Sequence, residues 1–342
     1  MNGAYLSLVE SWVSDIHVIG QDTQAVGGWN GPGPFKISNN ELQAAGENIL
    51  FGGSKPSLPN NIPSDIEISR NHFFKPLSWR VGDPTYAGIH WSVKNLLELK
   101  IAQRVTILGN ILENNWVDAQ AGPAFLITPR TENGTAPWVY TQDITFAYNI
   151  LRHSASAVNI AGEDSGDPQK LVRGRRIQLV DNLFTDINGP VWGAPSGGFL
   201  FQILGSTDSL TIDHNTGLQT GTIINADGAP STNVVYTNNI TAHNLYGVKG
   251  SGLASGSSTI STDFPGMVFK ANILENLKPS GLTSAKYPAG NFFPPDWSTV
   301  FANFAGGNYN VIGVYRNAGT DGKDPGPSII GLQAVTSGVI VQ

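Results

Sequence analysis

At 342 residues with a formal charge of −6, the chain could form one large domain or two ordinary ones, and its weakly acidic balance argues against nucleic acid or an anionic membrane as a general partner. It contains no Cys, which excludes a disulfide framework, a thiolate nucleophile and a cysteine metal site. With 40 Gly, 21 Pro and only 13% charged residues, and no apolar run of the roughly 18 residues a membrane helix needs, it reads as a turn-rich β-protein.

In chain order, Met1-Asn2-Gly3 runs directly into an apolar β-like stretch without the pattern of a signal peptide. From there one motif recurs, apolar-x-apolar-x-x-Asn-x-apolar. LSLVESWV carries it with Ser11 in the Asn place, then FKISNNEL, IEISRNHF, VTILGNIL, ITFAYNIL, IQLVDNLF, LTIDHNTG, VVYTNNIT and MVFKANIL follow. The sixth-position residues are Asn40, Asn71, Asn110, Asn149, Asn182, Asn215, Asn239 and Asn272, spaced by 31, 39, 39, 33, 33, 24 and 33 residues. A short alternating strand cannot bury its own inward face, so self-similarity at this period predicts a stack of coils, a right-handed parallel β-helix of about nine or ten turns. Asn at a fixed corner suits a left-handed or bridging backbone, and identical amides about 4.8 Å apart can bond as a ladder.

A second strand follows each Asn. It comes soon in the coils of Ile49, Val158, Ile224 and Val248, and late in those of Leu97, Leu126 and Phe201. The extra residues hang at one corner and carry Trp79, Trp91, Trp116 and Trp192; a second variable corner carries Trp29 and Trp138. Two walls beside a sheet make a groove, and indole faces are good platforms for sugar rings. The expected floor residues include Asn48 with Glu47 nearby, Glu98, Lys100, Arg130, Asn159, Gln202 and Asn225, with Pro129 threatening the strand before Arg130.

The coils are expected over residues 1–277. Residues 278–342 form a closing segment of the same domain, where the Asn ladder is lost. No amphipathic helix shields the first coil, so the natural protein is expected to extend further N-terminally. A secreted or cell-surface location is expected.

The whole chain is similar to uncharacterised bacterial right-handed β-helix repeat proteins. Locally, ELKIAQRVTILGNIL resembles the Lys-containing coil of the chondroitinase B and alginate lyase family of polysaccharide lyases. That resemblance implies Lys100 as the base that takes the proton next to a uronate carboxylate, Arg130 as its helper, and Asn48, Glu47 and Glu98 as Ca²⁺ ligands. Where the family tends to place two acidic ligands two residues apart, this chain has Leu96 and Glu98, a poor or water-rich set for an ion that takes six to eight oxygens. His153 is a candidate proton donor, though a structural His is the commoner case. The alternatives are a glycoside hydrolase built on Glu47 and Glu98 and a non-catalytic glycan-binding or structural β-helix. The NTD, DD, GHG and RIK motifs of β-helical pectin hydrolases are absent, as are a serine triad, a P-loop and a dinucleotide fingerprint.

Overall fold

Apolar side chains two residues apart turn one face of each short strand inward, and that face is buried only by the next repeat. The computed structural model describes residues 1–340 and forms a right-handed parallel β-helix with two nine-stranded sheets and one eight-stranded sheet. Sheet 1 runs from Leu6–Val9 to Val268–Lys270, sheet 2 from Trp12–Ile16 to Ile273–Glu275, and sheet 3 from Gln24–Gly28 to Val248–Gly250. Each coil passes through the three sheets in that order. One inward column of sheet 1 reads Ile37, Ile68, Ile107, Phe146, Leu179, Ile212, Tyr236 and Phe269, in strict register. All are buried, each contributing roughly 1.5–3 kcal/mol through the area it removes from water.

The eight Asn residues occupy one column at the corner between sheets 1 and 2. Asn149 is typical: its N–H donates to Asn182 Oδ1 at 2.9 Å, and its Nδ2 reaches Asn182 Oδ1 at 3.1 Å and the Ile107 carbonyl at 3.0 Å. Ser11 heads the column by donating its N–H to Asn40 Oδ1 at 2.9 Å. The ladder also continues beyond the repeats, because Asn272 N–H donates to Asn291 Oδ1 at 2.9 Å. Asn291 escaped the sequence reading since it sits in a loop, outside the strand motif. The left-handed residue is the one before each Asn: Asn39, Arg70, Gly109, Tyr148, Asp181, His214, Asn238 and Ala271 have φ between 51° and 65°. The Asn itself turns its amide inward to satisfy backbone groups of two coils, which leaves the sharp bend to its predecessor.

The residue after each ladder Asn faces outward on sheet 2, yet several of these are aliphatic: Ile111, Ile150, Leu183, Ile240 and Ile273. The C-terminal segment covers the last two. A hairpin of Phe301–Asn303 and Asn308–Val311 packs Val300, Phe301 and Val311 against Ile240 and Ile273. The chain then returns toward the third coil as the helix Ile329–Thr336, where the Arg70 guanidinium donates to the carbonyls of Val335 at 2.6 Å and Ser337 at 2.8 Å. Among the described residues no helix is long and apolar enough to cross a membrane.

Candidate functional site

Insertions are uneven around the coil, and this shapes the outer face of sheet 3. Between sheets 2 and 3 the chain spends residues 75–96 in the third coil and 188–200 in the sixth, but only Ala155 in the fifth. Between sheet 3 and the next sheet 1 it spends residues 128–140, 162–173 and 251–267 in the fourth, fifth and eighth coils. The floor between these loops is one outward column in register: Leu50, Glu98, Leu126, Asn159, Gln202, Asn225 and Lys249. Asn159 Nδ2 donates to Gln202 Oε1.

Charge gathers at the N-terminal end of this floor. Lys100 Nζ lies 3.3 Å from Glu98 Oε1, and Asn95 Nδ2 lies 3.3 Å from Glu98 Oε2. Lys94 bridges Asp22 at 2.5 Å and Glu47 at 3.7 Å, while Gln24 Nε2 donates to Glu47 Oε2 at 2.8 Å. Glu47 is fully buried, and that burial raises its pKa above the usual carboxylate range against the opposing bond from Gln24. Beneath it the Lys75 ammonium spends its three protons on the carbonyls of Ala44, Ala45 and Gly46, at 2.6, 3.0 and 2.6 Å. Full burial pushes the Lys75 pKa down to about 7. Neither Lys75 nor the set Asp22, Gln24, Lys94 and Asn95 stood out in the sequence. Where a 22-residue loop returns to the sheet is not encoded in any strand period.

Arg130 joins Lys100 despite Pro129. The regular strand ends at Ile127, but backbone pairing continues, with Thr128 N–H donating to Leu99 O at 2.9 Å and Arg130 N–H to Lys100 O at 3.1 Å. The two side chains emerge one coil apart at the same edge of the floor, both with solvent access. Arg130 Nη1 donates to its own Pro129 carbonyl at 2.9 Å and stands 3.8 Å from Asp164.

Other expected members lie elsewhere. His153 belongs to sheet 2, in Ile150–Ser154, where its Nδ1 sits 2.9 Å from Asp186 Oδ2; it shares no face with Lys100. Asn48 is fully buried and donates to the carbonyls of Leu42 at 2.6 Å and Phe74 at 3.1 Å. On the floor the position level with Glu98 is taken by Leu50. Trp79, Trp116 and Trp192 form a buried cluster with Ala45, Val93 and Ala155. Arg80 covers the Trp192 ring at 4.5 Å, and Trp91 stacks on His17 at 3.8 Å. The 75–96 loop folds down over the corner between sheets 2 and 3, so Trp79, Trp116 and Trp192 are spent mainly on packing, while Trp91 stays half-buried and Trp116 and Trp192 border a cavity of about 330 Å³. On the opposite corner Trp138 packs with Ile62, Ile101 and Val139, and Trp29 remains 37% exposed.

Calcium does not fit the expected ligands. Glu98 and Glu47 already face Lys100 and Lys94, and Asn48 points into the corner, so the oxygens a hard cation needs are not assembled. Among the described residues no group of three or more His, Asp or Glu side chains is placed to hold a metal ion. Comparison with protein-family models and with curated proteins gives no match for this chain.

Proposed function

We propose that the outer face of sheet 3 binds an acidic polysaccharide and that Lys100 and Arg130 cleave it by β-elimination. The observation that carries this reading is the juxtaposition of Lys100 and Arg130 on neighbouring coils, backbone-bonded at 3.1 Å, at the edge of a floor that runs the length of the molecule. A guanidinium and an amine one strand spacing apart suit a uronate better than a neutral sugar, because the guanidinium pairs with the carboxylate and leaves the amine to act as base. Arg130 takes the carboxylate, which makes the neighbouring carbon-bound proton easier to remove. Lys100 as the free amine accepts that proton, the electron pair becomes a carbon–carbon double bond, and the bond to the glycosidic oxygen breaks. The same Lys100 returns the proton to the departing oxygen, so no second acid is required and His153 has no part. Glu98 holds Lys100 at the floor. A secreted or cell-surface location accords with such a substrate.

The glycoside hydrolase reading loses support from the burial of Glu47, which has no open path to a glycosidic oxygen. Elimination creates a double bond that absorbs in the ultraviolet and hydrolysis does not, so incubation with alginate, pectate, chondroitin and glucuronan tests the reaction directly.

A further inference from the structure

Four coils beyond Glu98, the same floor column enters a cavity of about 490 Å³. Its base is Asn225 and Lys249, which follow Glu98 in the register through Leu126, Asn159 and Gln202. Its side is made by the turns of the sixth to eighth coils between sheets 2 and 3, with Phe199, Leu245 and Tyr246 lining it. Leu245 is 53% and Tyr246 50% exposed, although both stand beside a strand whose inward residue, Val248, is fully buried. Lys249 lines the cavity while its Nζ donates to the Leu253 carbonyl, and among the described residues no carboxylate lines the cavity.

An apolar ring surface beside an amide and a cation is the chemistry of a sugar subsite. We infer that this cavity is a distal subsite for an acidic glycan, in which a pyranose ring lies on Tyr246 and Phe199 with its polar groups on Asn225 and Lys249. The inference rests on the reading of the sheet 3 face as a glycan groove, and it adds a length requirement. Four to five coils at about 4.8 Å separate the cavity from Glu98 and Lys100, some 19–24 Å. A sugar residue advances a glycan by about one coil, so a chain must exceed about five residues to occupy both ends. The protein therefore selects polymeric, internally bound substrate over short fragments, and the cavity is what makes the selection.

The test is calorimetric binding of tetra- and octa-galacturonate and the corresponding oligoguluronates to Lys100→Ala protein, in which the probes survive. The octamer should bind at least about tenfold more tightly than the tetramer, and adding Tyr246→Ala should reduce that ratio to about twofold or less. Phe199→Leu provides a second variant, and unchanged thermal unfolding of either confirms that the fold is intact. Equal affinities for the two lengths, or a ratio that neither variant alters, overturn the inference. The two readings separate cleanly. A length-dependent, Tyr246-dependent affinity without ultraviolet product from wild-type protein upholds the subsite and defeats the elimination; elimination by wild type with no length dependence does the reverse.

Discussion

The backbone amide of Arg130 donates to the carbonyl of Lys100 across 3.1 Å, which sets the backbones of the two basic residues side by side on neighbouring coils. If Arg130 neutralises the substrate carboxylate, Arg130→Ala should lower kcat/KM on a uronate polymer by roughly 10- to 1,000-fold. Arg130→Lys should recover only part of this, since the planar fork is lost although the charge remains. Steady-state rates on wild type and both variants decide it, and full activity in Arg130→Ala would remove Arg130 from the mechanism.

The Asn ladder makes a prediction about stability. Asn149 is fully buried and its amide bridges neighbouring coils, so Asn149→Leu should cost roughly 1–3 kcal/mol by leaving backbone groups unpaired. Denaturant unfolding of the variant measures this, and a stability equal to wild type would show that the column does not hold the corner.

A charge chain on sheet 2 gives a pH dependence. His72 lies between Glu41 at 2.6 Å and Glu113 at 3.0 Å, and Arg152 pairs with Glu113. Burial alone would lower the His72 pKa, but the bonds to Glu113 and Glu41 outweigh it and raise the value to about 9. Burial would raise Glu113, yet His72 and Arg152 bring it to about 2. The His72 contribution is thus complete below its unfolded pKa of about 6.5 and lost as pH rises through about 9; that of Glu113 is complete above about 4.5 and lost toward pH 2. His72→Gln should therefore lose most stability relative to wild type near pH 5.5, with the gap closing by pH 10. A gap that is constant from pH 5.5 to 10 would contradict this assignment.

The buried Trp cluster separates packing from binding. Trp192→Ala should destabilise by about 3–5 kcal/mol, because the ring is enclosed with Trp79 and Trp116 and capped by Arg80. Glycans should leave the fluorescence of these three indoles unchanged. A saturable spectral change that vanishes in Trp192→Phe would return them to the groove.

The coils were legible because their cause is local: an inward pair of apolar residues followed by Asn recurs wherever a coil turns from sheet 1 to sheet 2. The place of Lys100 two residues beyond Glu98 follows from the same alternation, whereas Arg130 lies past Pro129, beyond the regular strand that ends at Ile127. Trp79, Trp116 and Trp192 lie in a packed cluster rather than on an open wall, because the spacing tells which corner carries an insertion, whereas only packing decides whether its loop stands up or lies flat. His72, Glu41 and Glu113 come from three coils separated by 31 and 41 residues, and such a column appears only once the register is known. The outward aliphatic residues at Ile240 and Ile273 carried a signal that was available but unread, since an apolar residue on an exposed face implies something that covers it.

The most direct test of the proposed reaction is absorbance near the ultraviolet band of an unsaturated uronate, followed while wild type and Lys100→Ala are incubated with alginate, pectate, chondroitin and glucuronan. The Lys100 assignment predicts that absorbance grows with at least one of these polymers, in the absence of added calcium, and that Lys100→Ala abolishes the growth while still binding the polymer. New reducing ends without absorbance, absorbance that persists in Lys100→Ala, or binding with no product from any of the four would contradict it.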